Sequence, residues 1–111
     1  MENTINTGMI VVIVNKGFSG EVMDVARAHG AAGGTILSGK GTGSEKAQKF
    51  FAMSFQEEKE VVLILVKEEI RAEIMRAVAS EFGLDSPGKG IVFSLPVEEA
   101  IGLNFVPFQE D

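Results

Sequence analysis

Two short segments hold the residues best suited to gripping an anion: Gly39-Lys40-Gly41-Thr42-Gly43-Ser44 and Ser86-Pro87-Gly88-Lys89-Gly90. Glycines let successive backbone N–H groups turn toward one cluster of oxygens, while lysines add charge and hydroxyls add donors, so each segment has the composition of an anion nest. A mobile glycine-serine turn is the bland alternative for either segment taken alone. The first segment is no P-loop, because the place after Lys40 must be Ser or Thr to hold magnesium and is Gly41. Nor is Gly39-x-Gly41-x-Gly43 a dinucleotide fingerprint, whose third glycine comes one place later and whose loop opens a helix.

Other chemistry finds little support. The chain has no cysteine, which excludes disulfides, thiolate metal sites and cysteine nucleophiles. His29, just before Gly30, reads as a helix-end residue interacting with free carbonyls. Glu57-Glu58 and Glu68-Glu69 read as solvated or dipole-compensating pairs at a strand start and a helix first turn. No nucleophile stands beside a base and no metal-ligand spacing occurs, so no catalytic or metal residues are assigned and the chain is expected not to be an enzyme. Two alternatives stay open: a small phosphate-ester hydrolase or transferase using Lys40 or Lys89, and a structural trimer without ligand.

The elements that must position these segments come as a repeat. Residues 9–15 form an apolar strand pattern, Ser19 stands where an N-cap belongs, and Glu21, Val22, Val25 and Ala26 lead to the stop at Gly30. A second strand follows at about 35–39. The plan recurs with a strand at 60–66, a helical face of Ile70, Ile74, Ala77, Val78 and Phe82 ending at Gly83, and a strand at 91–95. A strand-helix-strand unit used twice predicts an α+β, ferredoxin-like βαββαβ fold: a four-stranded antiparallel sheet with two helices on one face. The strands at 9–14 and 61–66 are apolar at successive positions, so both sheet faces need cover, and self-association is the expected remedy.

At 111 residues the chain is expected to be a single domain. Its apolar runs fall far short of the roughly 20 residues a bilayer span needs, and its N-terminus lacks a signal-peptide pattern, so a cytoplasmic protein without membrane insertion is expected. The formal net charge of −6 opposes nonspecific binding to nucleic acid.

The repeat, the Gly39-Lys40-Gly41-Thr42-Gly43 turn after strand two and the Gly88-Lys89-Gly90-Ile91-Val92-Phe93 stretch leading into strand four resemble the PII signal-transduction family over about residues 8–104. The resemblance implies one PII-like domain over 1–111, a homotrimer with sheets lining its interior, and adenine-nucleotide binding in the clefts between subunits. It also implies a T-loop, here about 40–49, that engages a target protein such as a membrane transporter, and a short tail at 105–111. Ligand-binding residues carried over or adjacent are Gly39, Lys40, Gly41, Thr42, Gly43, Ser44, Gly88, Lys89 and Gly90. The chain departs from the family pattern where basic residues are usual, having Ile91 after the second glycine and Gly102 and Asn104 near the C-terminus. Fewer cations imply that ADP or AMP is favoured over ATP. With no tyrosine in the chain, the uridylylation found in part of the family is impossible.

Overall fold

The computed structural model describes residues 6–42 and 56–103. In chain order the elements are β1 (Thr7–Asn15), α1 (Ser19–Ala28), β2 (Thr35–Thr42), β3 (Gln56–Lys67), α2 (Glu68–Phe82) and β4 (Ile91–Pro96). The strands form one sheet in the order β2-β3-β1-β4, antiparallel throughout. This is the ferredoxin-like βαββαβ arrangement that the repeat predicts.

The period-2 geometry of a strand divides each apolar run between two faces. Ile10, Val12 and Val14 of β1 and Val62, Ile64 and Val66 of β3 face the helices and are buried against Val22, Met23, Ala26, Ile74, Val78 and Phe82. Fully burying each such side chain contributes about 1.5–3 kcal/mol, so this layer supplies most of the folding force. The helix stripe read from the sequence therefore does bury the expected face.

The opposite sheet face is just as apolar. The strand register aligns Leu95, Met9 and Leu65 in one row, Phe93, Val11 and Leu63 in the next, and Ile91, Ile13, Val61 and Leu37 in a third. Central Val11 is 6% exposed, whereas outer Ile91 and Leu37 remain 50% and 47% exposed. In the single chain, nothing among the described residues covers this grid.

Two local expectations change. Ser19 is not an N-cap but the first residue of α1, which has no side-chain cap of its own; the preceding residue, Phe18, takes that position. The cap comes instead from across the sheet, since Glu60 Oε1 accepts hydrogen bonds from the N–H groups of Gly17 at 3.1 Å and Ser19 at 3.2 Å. The second correction concerns His29: its Nδ1 lies 2.7 Å from Glu73 Oε2 of α2, so the side chain joins the two helices rather than the free carbonyls of α1.

Candidate functional site

Antiparallel pairing carries the ends of β1 and β2 and the starts of β3 and β4 to one end of the sheet. That end carries Gly39, Lys40, Gly41 and Thr42 on the β2 edge and Gly88, Lys89 and Gly90 at the opposite, β4 edge, with β3 and β1 between them. Gly43 and Ser44, most of the 40–49 loop and Asn104 lie outside the described residues. Ile91 and Gly102 are described, and neither brings a cation.

The first segment is not a loop through Thr42. Gly39, Lys40, Gly41 and Thr42 are strand residues paired with Lys59, Glu58, Glu57 and Gln56. Consecutive N–H groups of a strand point to opposite sides, so an anion nest does not form over these four residues. Their contribution is side chains and bare surface.

The side chains sort onto two faces. On the helix side, Lys16 Nζ pairs with Glu58 Oε1 at 3.0 Å, and Lys40 lies opposite Glu58 in the ladder. Bonding to Lys16, the Lys16 charge and then the Lys40 charge hold the Glu58 carboxyl below its ordinary value of 4.5. Lys16, Ser38, Gly39, Lys40, Glu58 and Lys59 line an open cavity of about 260 Å³. Lys16 and Lys40 against the one carboxylate of Glu58 give the helix side of that lining a cationic surplus.

On the open face, Lys59 lies along the space that glycine leaves at position 41, where an added Cβ would stand 3.1 Å from Lys59 Cε. Its side chain is only 15% exposed, and its ammonium is held by Glu57 Oε1 at 3.1 Å and Asn15 Oδ1 at 2.8 Å.

The second segment is irregular backbone pinned from several sides. Asn15 Nδ2 donates to the Pro87 carbonyl at 3.0 Å, and the Asn15 N–H donates to the Gly88 carbonyl at 2.9 Å. The Lys89 and Gly90 N–H groups donate to Ser86 O and Phe82 O. Both are thereby committed inside the chain, so a backbone nest is not offered here either. Glycine is obligatory at position 90, because an added Cβ would overlap the Phe82 carbonyl oxygen. Lys89 has φ of +48°, the one non-glycine residue with positive φ among the described residues. A non-glycine side chain in that region is uncommon and costs energy, so the surrounding bonds hold it there.

Sequence reasoning missed Asn15, Lys16, Lys59 and Glu60. Their signal is positional: Asn15-Lys16 directly follows one apolar run and Lys59-Glu60 directly precedes the other. Antiparallel pairing of those runs must bring the flanks together.

Comparison with solved structures places the fold. A Bacillus subtilis GlnK–ATP complex superposes with a TM-score of 0.67 at 15% identity, covering 86% of this chain and 85% of that one. An Arabidopsis thaliana PII bound to citrate gives 0.60 at 18% identity, covering 85% and 77%. A putative PII-like signaling protein from Thermus thermophilus gives 0.60 at 17%, covering 84% and 89%. No curated protein sequence matches the chain. The sequence pattern of nitrogen regulatory protein P-II matches residues 7–104, which span both helices and the whole sheet, and the chain therefore belongs to the P-II family.

Proposed function

We propose that the protein is a homotrimeric, non-enzymatic regulator that takes a small anionic effector at the sheet end that carries its two glycine-lysine segments, and engages a partner protein through the chain between β2 and β3. The carrying observation is that Lys16, Lys40, Lys59 and Lys89 all lie at one end of the sheet, in a chain whose net charge is −6. The grid of apolar side chains on the open sheet face supports the trimer, since leaving it wet would be costly. Such assembly would place each sheet end beside a neighbouring subunit, with the effector in the cleft between them. The GlnK structure named above was solved with ATP and the PII structure with citrate, both anions.

Charge selects among effectors. Lys16 and Lys59 are paired with Glu58 and Glu57. Among the described residues at this end, Lys40 and Lys89 supply the remaining cations, which suits a ligand with two or three charges better than ATP with about four. An adenine nucleotide with one or two phosphates is the effector that fits, and a transporter is the kind of partner that the family resemblance implies. Light scattering is expected to return a trimer at micromolar concentration, and calorimetry to show ADP or AMP binding at least as tightly as ATP. A monomer, or ATP preferred tenfold over both, would contradict this reading.

A further inference from the structure

Asn15 ties the start of β3 to the second glycine-lysine segment. Its Oδ1 accepts from Lys59 Nζ, its Nδ2 donates to Pro87 O, and its N–H donates to Gly88 O. The partners lie far away along the chain, with Lys59 44 positions and Pro87 72 positions from Asn15. A lysine ammonium has three N–H donors, and Glu57 and Asn15 occupy two of those on Lys59. Among the described residues nothing takes the third donor, which is the one an incoming anion would meet. Any anion that draws Lys59 toward itself loads the bond to Asn15, and the amide plane of Asn15 is rigid. A turn of that plane moves its Nδ2 against Pro87 O, in the segment that keeps Lys89 left-handed.

We propose that Asn15 is a positioning residue that aims the Lys59 ammonium and transmits its engagement by an anion to the backbone around Lys89, so that the start of β3 and the Gly88-Lys89-Gly90 segment respond as one. This rests on the effector reading above, but its main test needs no effector. Asn15→Asp keeps the acceptor for Lys59 and loses the donor to Pro87. Asn15→Leu loses both.

Amide resonances and hydrogen exchange of Gly88, Lys89 and Gly90 are measured by NMR in the free protein. Lys59→Met is expected to shift these resonances although Lys59 does not touch the segment, and to leave them unmoved in an Asn15→Asp background. Asn15→Asp alone should speed exchange at Lys89 and Gly90 about fivefold, in keeping with loss of one hydrogen bond. With ADP as the probe, Asn15→Leu should weaken binding about tenfold and Asn15→Asp should recover most of that loss. A merely structural Asn15 would lower stability without making Lys59→Met silent. The proposal is overturned if Lys59→Met leaves all three amides unmoved, or if it moves them equally with and without Asn15. Failure of both ADP and inorganic phosphate to bind the unaltered protein would overturn the effector reading instead, with the coupling still decided by the free-protein spectra.

Discussion

The two glycine-lysine segments share composition but differ in build. Gly39-Lys40-Gly41-Thr42 is edge strand, paired residue by residue with the start of β3, and a Cβ at Gly39 would meet nothing within 4 Å. Gly88-Lys89-Gly90 is irregular backbone wedged beneath the end of α2, where a Cβ at Gly90 has no room. Glycine in the first segment mainly keeps a surface bare, and in the second it permits close packing. In both, the backbone donors are committed or divergent, so recognition of an anion falls on lysine side chains. What the two segments can hold is therefore set by charge more than by loop geometry.

The largest expected effect exploits that contrast with one substitution type. Gly90→Ala should destabilise by at least about 2 kcal/mol, because the new methyl displaces the Phe82 carbonyl and with it the hydrogen bond from Gly90. Gly39→Ala should stay within about 0.5 kcal/mol of the parent. Urea midpoints compared at equal m-values would measure both, and equal losses would abolish the distinction.

How far the sequence reveals these parts follows from the range of the interactions. The strands, the α2 stripe of Ile70, Ile74, Val78 and Phe82, and the doubly apolar sheet are legible because periodicity is a local property. Lys40 and Lys89 are legible because glycines flag them. The β2 strand is longer than expected, reaching Thr42, because pairing with β3 overrides the weak strand preference of Gly39 and Gly41. Glu60 capping α1, Lys59 bonding Asn15 and Lys16 pairing with Glu58 depend on register between distant segments. Composition carries no sign of them, and Ser19 is a plausible cap that the cross-sheet carboxylate replaces.

That replacement gives a middle-sized effect on the β3 side. Glu60 is held below its ordinary value of 4.5, first by the Ser19 hydroxyl bond and next by the Gly17 N–H. Its lowered folded value means that its stabilisation is complete above about pH 4.5 and is lost as pH falls through that lowered value. Glu60→Ala, which removes the acceptor, should cost about 1 kcal/mol at neutral pH, typical of a lost helix cap, and should flatten the acid limb of a plot of stability against pH. An unchanged acid limb would show that the cap carries no stability.

The smallest effect has the opposite sign. Lys89→Gly removes a side chain from left-handed backbone and should raise stability by about 0.5–1 kcal/mol, after the entropic cost of glycine is deducted, while weakening anion binding. Thermal unfolding of the ligand-free protein would detect it, and a fall in midpoint would show that the Lys89 side chain contributes to the fold.

The central claim is that both segments serve one anion. Calorimetric titration of ADP into the parent protein, Lys40→Ala, Lys89→Ala and the double variant tests it most directly. Each single substitution should cost about 1.5–3 kcal/mol of binding, the range for a hydrogen bond to a charged group, with the trimer intact by light scattering. The double variant should lose detectable binding. ADP affinity untouched by either substitution would contradict the account, and loss confined to one lysine would separate the two segments into unrelated parts.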